Sequence, residues 1–215
     1  MQDDTVAALK EIAAQVDRCR LCKLGTGKAR GVPGEGNPHA DVMMVGEAPG
    51  FYEDQQGRPF DGPAGQLLDE LQKVAGMARK DVFITNVVKH RPPGNRDPEA
   101  DELEACDAYL KAQIAAIHPK VIVTLGRFSL AKFMPGVKAM RDVHGRAMTI
   151  GDLTVCAMYH PAAALHQQSL RSVLEQDFRN LPAMIARVGS RQAAPESAAV
   201  DEPPDDPAPE QMSLF

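Results

Sequence analysis

In the stretch Val42-Met43-Met44-Val45-Gly46-Glu47-Ala48-Pro49-Gly50-Phe51-Tyr52-Glu53-Asp54, closed by Gly57-Arg58-Pro59-Phe60, an apolar run meets a group of backbone-breaking and acidic residues. Apolar residues bounded by turn formers read as a buried strand. Gly46-Glu47-Ala48-Pro49-Gly50 can neither extend a strand nor open a helix directly, so the backbone must turn sharply there. Open α/β sheets bind their ligands at such turns, at the carboxyl ends of parallel strands. Glu47, Glu53 and Asp54 place three carboxylates on the loop and Phe60 adds an aromatic ring, the make-up of an active-site rim.

Working outward, residues 82–88, 121–125 and 153–159 read as three further buried strands, the last entered through a hairpin around Gly145 and Gly151. Helical periodicity places helices at about 4–16, 66–75, 128–133 and 170–187. Asp97-Pro98 reads as an N-cap and first-turn proline opening another, with Leu103, Cys106, Leu110, Ile114 and Ile117 along one face. Between residues 24 and 40 the chain is a Gly-rich loop. Strands alternating with helices predict an α/β fold, a parallel sheet with helices on both faces. Its carboxyl edge gathers Gly46-Glu47, Asn86 and His160-Pro161 beneath Phe60. Taken singly, an Asn at a strand end is ordinarily a turn former and a His-Pro an ordinary loop. Together, an amide that donates and accepts, an imidazole and a ring suit a flat, hydrogen-bonding heterocycle. His160 could donate to an oxygen on which negative charge develops.

The totals set limits on function. A chain of 215 residues can bury a proper core. Neither an export signal nor a membrane span is legible, and four cysteines without an export signal indicate a reducing, cytoplasmic setting rather than a disulfide framework. Of 29 acids and 24 bases, six acids and one base lie from Ser190 onward, so residues 1–189 are formally neutral. Bases cluster locally, as Lys89-His90-Arg91 with Arg96 and as Arg141 with His144 and Arg146, which suits a modest DNA footprint or simply a solvated surface. Residues 190–215 are acidic and rich in Ala and Pro, a composition expected to stay disordered.

Gly46-Glu47-Ala48-Pro49-Gly50, Gly57-Arg58-Pro59-Phe60, Thr85-Asn86 and His160-Pro161, in that order, closely resemble the family 4 uracil-DNA glycosylases, the iron–sulfur-containing branch of their superfamily. The likeness runs from Cys19 to about Pro182. It implies a three-layer α/β/α sandwich around a four-stranded parallel sheet, with residues 1–189 as the glycosylase domain. It also implies base excision repair: a flipped-out uracil enters the pocket and its N-glycosidic bond is hydrolysed, leaving an abasic site. Carried over, Phe60 stacks on uracil and Asn86 hydrogen-bonds its edge. Backbone groups of Gly46 and Glu47 complete the pocket, and His160 stabilises the departing anion. Glu47, Glu53 or Asp54 would serve the attacking water or the sugar cation. Ala48 stands where other branches carry a water-activating Asp or Asn, so that role must fall elsewhere.

The resemblance further implies a [4Fe–4S] cluster. Cys19, Cys22 and Cys106 match three of its four ligands, and His90 stands where relatives commonly have the other cysteine. Imidazole replaces thiolate in Rieske centres, so three Cys and His90 form the expected set. Cys156, a small thiol inside a strand, is the competing fourth ligand, and zinc is the competing metal. One related branch crosslinks to DNA through a histidine in an inserted basic loop. Residues 92–98 carry neither insertion nor histidine, so turnover by a monomer is expected. A catalytically weak module binding damaged DNA and a clamp is the alternative from another class. Gln211, Leu214 and Phe215 end the tail in a pattern resembling the peptide that docks into the bacterial sliding clamp.

Overall fold

The computed structural model describes residues 3–151 and 153–192. Its strands are β1 (Glu35–Gly36), β2 (Val42–Gly46), β3 (Phe83–Asn86), β4 (Val121–Leu125), β5 (Arg146–Ile150) and β6 (Leu153–Met158). Its α-helices are α1 (Asp4–Asp17), α2 (Lys23–Thr26), α3 (Phe51–Gln56), α4 (Pro63–Val74), α5 (Ala100–Ile117), α6 (Arg127–Phe133), α7 (Pro161–His166) and α8 (Ser169–Gln192). The strands form one sheet of order β1-β3-β2-β4-β6-β5.

The four expected strands do run parallel, but the sheet is six-stranded and mixed, because β1 and β5 add antiparallel edges. Neither edge has the apolar signature of a buried strand. β1 is two residues of the Gly-rich loop, paired through its backbone to β3, and β5 is exposed along its whole length. The inner strands β2, β3 and β4 are buried at every position, as expected where helices cover both faces. Their side chains alternate between two cores. Met44, Ile84 and Val123 pack with Leu68 and Leu71 of α4 and with Leu174 and Phe178 of α8. Met43, Val45 and Ile122 pack with Leu110 and Ile117 of α5 and with Leu130 of α6. A third, smaller core joins Ile12 and Val16 of α1 to Cys106 and Tyr109 of α5.

Several boundaries differ from the sequence expectation, with α4 starting three residues earlier, β3 ending at Asn86 and α8 running to Gln192, and two of the differences shape the site. Gly50 takes an extended conformation and caps α3, so the sharp turn spans four residues and a helix does open directly after it. Helix α5 starts at Ala100 behind Glu99, not at Asp97, because Glu102 reaches back to the Glu99 N–H at 2.8 Å while Asp97 pairs with Arg127. Among the described residues no helix is long and apolar enough to cross a membrane. The domain boundary expected at residue 189 falls inside α8, and the clamp-like residues Gln211, Leu214 and Phe215 lie outside the described residues.

Candidate active site

Strand β2 has β3 on one side and β4 on the other, so the connections leaving it diverge and open a crevice at its carboxyl end. Gly46 is paired with Asn86, and the pairing continues beyond the strands: Val87 and Val88 donate to the carbonyls of Gly46 and Glu47, each at 3.1 Å. A cavity of about 290 Å³ opens there, lined among others by Glu47, Ala48, Glu53, Phe60, Asn86, Arg96 and His160.

Gly46 is the floor. A β-carbon on it would overlap Asn86 Oδ1 and come within 2.6 Å of Phe60 Cζ, so only hydrogen leaves room for amide and ring together. Phe60 has φ 53°, a left-handed conformation that costs a bulky residue on the order of 1 kcal/mol. The strain is held by Arg79, whose guanidinium donates to the carbonyls of Phe60 (3.2 Å) and Pro59 while it pairs with Glu35 and Asp69. The sequence carried no signal for Arg79. Its partners are drawn from a strand, a turn and a helix distant along the chain. Asn86 is 2 % exposed, and among the described residues its buried Oδ1 has no hydrogen-bond partner. An orphaned buried acceptor is costly, roughly 1–3 kcal/mol, unless a ligand satisfies it.

His160 caps α7: its Nδ1 accepts the Ala162 N–H at 3.1 Å, leaving the ring proton on Nε2. The imidazole stacks on Phe60 with centroids 5.5 Å apart. Burial pulls its pKa down to about 4, so the ring is a neutral donor at physiological pH.

The three carboxylates have separate environments. Glu53 Oε1 accepts the Asp61 and Gly62 N–H groups at 2.9 and 3.1 Å, and Oε2 accepts the Gly50 N–H at 3.0 Å. It therefore clamps both pocket loops. Asp54 faces a neighbouring groove, accepting the Arg30 N–H at 2.7 Å and pairing with Arg91 at 3.8 Å. Glu47 lines the cavity with no hydrogen bond to its carboxylate among the described residues. Burial and Asp97 raise its pKa against the opposing pull of Arg127.

The basic segment after β3 also divides. Arg96 lines the pocket and forms a two-pronged pair with the buried Glu102, at 2.9 and 2.6 Å. Lys89, expected on a DNA-facing rim, points inward instead. It is fully buried and donates to Thr85 Oγ1, the Asn86 carbonyl and Gln113 Oε1 at 2.6, 2.8 and 2.7 Å. A buried ammonium is stable only with such a complete set of acceptors, and burial still pulls its pKa down to about 7. Through it the segment is tied to the main chain of Asn86.

Among the described residues, no three His, Cys, Asp or Glu side chains stand in an arrangement that would hold a metal ion as placed. Cys19, Cys22 and Cys106 nevertheless meet at one core. Burial, helped by the neighbouring Cys22 and Cys19, pushes the Cys106 thiol up to about 11, and Tyr109 packs in the same core. The Lys89 N–H points at Cys106 Sγ from 3.4 Å. His90, the residue after Lys89, is also buried, and burial with the field of Arg20 lowers its pKa against the pull of Asp17 and Asp54. Cys156 is remote in the fold, fully buried in β6 opposite Val123 in the core that α4 and α8 cover.

The sequence profile described as the uracil DNA glycosylase superfamily matches residues 33–181. The chain is 47 % identical over 183 residues to a type-4 uracil-DNA glycosylase of Sulfurisphaera tokodaii, covering 81 % of this chain and 83 % of that protein. It is 40 % identical over 182 residues to a type-4 uracil-DNA glycosylase of Thermotoga maritima, covering 83 % and 95 %. Against a type-5 uracil-DNA glycosylase of Pyrobaculum aerophilum the identity is 32 % over 150 residues, covering 62 % and 66 %.

Proposed function

The chain belongs to the type-4 branch of the uracil-DNA glycosylase superfamily, and on that premise we propose how its pocket performs the reaction. The enzyme is a uracil-DNA glycosylase of base excision repair, hydrolysing the bond between uracil and deoxyribose. Asn86 reads the base: Oδ1 accepts from uracil N3–H while the amide nitrogen donates to O4. Cytosine presents the opposite pattern there, an acceptor at N3 and a donor at C4, so both contacts would fail. The buried, unpartnered Asn86 Oδ1 beneath Phe60 is the observation that carries this assignment. Phe60 stacks on the extruded base, held in its strained conformation by Arg79.

His160 donates from Nε2 to uracil O2, where negative charge grows as the bond breaks. A neutral donor already fixed by its N-cap bond stabilises that charge without reorganising. Glu47 is the carboxylate for the attacking water and the cationic sugar. Its place in the cavity and its lack of structural hydrogen bonds support this. Glu53 is the clamp that holds the pocket's shape, and Asp54 sets the neighbouring groove. Incubating uracil-containing oligonucleotide with the protein, followed by alkali, tests the assignment. Strand scission at uracil is expected, and strongly slowed in Asn86→Ala and Glu47→Gln. Well-folded protein that binds such DNA without scission would favour the binding-module alternative, and an adduct surviving denaturing electrophoresis the crosslinking one.

We assign a [4Fe–4S] cluster to Cys19, Cys22, Cys106 and His90, the three thiols gathered between the end of α1 and α5, and the imidazole supplied by the loop after β3 that also carries Lys89. The convergence of the thiols, an N–H aimed at Cys106 and the isolation of Cys156 support the set. When bound, the cluster supplies cross-linking of these segments and no step of the hydrolysis. Brown protein that keeps its iron in Cys156→Ala and His90→Cys but loses it in His90→Ala is expected. Colourless protein with stoichiometric zinc would refute the assignment. Residues 211–215 are proposed to dock on a bacterial sliding clamp, raising the local concentration of a cytoplasmic, monomeric enzyme at newly replicated DNA. Deleting them should abolish co-elution with the clamp and leave activity on naked oligonucleotide unchanged.

A further inference from the structure

Helix α3 leaves the pocket rim with two large aromatic side chains turned to solvent. Phe51 and Tyr52 are 52 % and 53 % exposed, although Glu53, the next residue, is buried as the pocket clamp. The two rings meet edge to face with centroids 5.6 Å apart. Tyr52 leans on Gly62, where a β-carbon would come within 2.7 Å of its ring. At the other end the Arg91 guanidinium lies over Phe51, 5.1 Å from the ring centre. Arg91 is itself fixed, donating to Asn95 Oδ1 at 2.7 Å and pairing with Asp54 at 3.8 Å. A ridge Arg91–Phe51–Tyr52 therefore runs beside the base pocket, flanked by a second groove lined by Lys23, Lys28, Arg91 and Arg96.

Single exposed apolar residues need no explanation, but here two are adjacent, fixed in orientation and set between Gly50 and Glu53, both of which line the substrate cavity. Burying them against the protein would have been favourable by roughly 1–2 kcal/mol each. Their exposure therefore calls for an occupant present only in the complex. A base extruded into the pocket leaves its neighbours in the same strand at the rim, with one π-face no longer stacked on the missing base. Aromatic rings offer such a face a partner without reading its sequence, and a groove bearing four cationic side chains suits the adjoining phosphates.

We propose that Phe51 and Tyr52 are a stacking platform for the nucleotide next to the flipped uracil in the same strand. The platform binds substrate and touches no reacting atom, so it acts on affinity and leaves the bond-breaking step alone.

Single-stranded oligonucleotides carrying one uracil test this, with the base on its 5′ or 3′ side present or replaced by an abasic tetrahydrofuran. Under single-turnover conditions the wild-type enzyme should lose roughly 5- to 160-fold in second-order rate constant when the base on one side is removed, the range of one aromatic–base stack. Phe51→Ala and Tyr52→Ala should show that loss on the intact oligonucleotide and no further loss when the same base is removed. The saturating rate constant should stay at the wild-type value, and Tyr52→Trp should restore binding. Both side chains are half exposed, so thermal melting should confirm that the variants fold. The proposal is overturned if the variants match wild type on intact DNA, or if they remain as sensitive to removal of the base. A loss accompanied by a shallower salt dependence would also overturn it, because the substitution would then be acting through the phosphate contacts of Arg91.

Discussion

Glu53 and Glu47 both line the base pocket, and substituting each by the isosteric amide separates clamp from chemistry. Glu53 accepts three backbone N–H bonds at 2.9–3.1 Å. Hydrogen bonds to a charged acceptor contribute about 1.5–3 kcal/mol each and neutral ones about 1. In Glu53→Gln the amide oxygen can keep the Asp61 and Gly62 N–H groups, now as neutral bonds, while the amide nitrogen opposes the Gly50 N–H. One bond is lost and two are weakened, which amounts to about 2.5–7 kcal/mol. For a domain of this size that lowers the melting temperature by roughly 5–28 °C. Loosening of the Phe60 turn should raise the substrate concentration needed for half-maximal rate. Glu47→Gln removes a carboxylate without structural bonds, so its melting temperature should stay within about 2 °C of wild type while the single-turnover rate falls at least about 100-fold. Differential scanning calorimetry and alkali-quenched single-turnover assays on uracil oligonucleotide provide the two measurements. If Glu53→Gln melts like wild type yet loses its rate at saturating enzyme, Glu53 performs chemistry and the clamp role is wrong.

Three further outcomes follow from the same geometry. Asn86→Ala removes the two proposed base contacts, about 1.5 kcal/mol each, so the second-order rate constant on uracil should fall roughly 100-fold; an unchanged rate would remove Asn86 from recognition. Gly46→Ala forces a β-carbon into Asn86 and Phe60, and overpacking should cost about 1–3 kcal/mol in denaturant unfolding and abolish measurable base release. The depressed pKa of His160, about 4 against an ordinary 6.5, means that the unfolded chain binds the proton more tightly. Its buried neutral ring is therefore compatible with full stability above pH 6.5. As pH falls towards 4 the wild type should lose roughly 3 kcal/mol more than His160→Gln does, measured as a difference between pH-dependent unfolding curves. An equal pH response in both proteins would show that the ring titrates normally.

The sequence by itself determined the parallel strands and the three strand ends that carry Gly46, Asn86 and His160. Strands buried on both faces must be apolar at nearly every position, and the turns that stop them need Gly, Pro and polar side chains, so both signals are local. The two antiparallel edges were not legible, because β1 is held by backbone pairing and β5 buries no face. Nor could the sequence rank Glu47, Glu53 and Asp54. Six residues of helix α3 turn Glu53 inward onto N–H groups of two different loops and Asp54 outward towards Arg91. Lys89 looked like a surface base because an ammonium is ordinarily solvated. Only tertiary structure could collect Thr85, the Asn86 carbonyl and Gln113 around it, acceptors that come from a strand, its end and a helix 24 residues further on. Strand-end chemistry is written in neighbouring residues, whereas the clamps that hold it, Glu53, Arg79 and Lys89, exist only where distant segments meet.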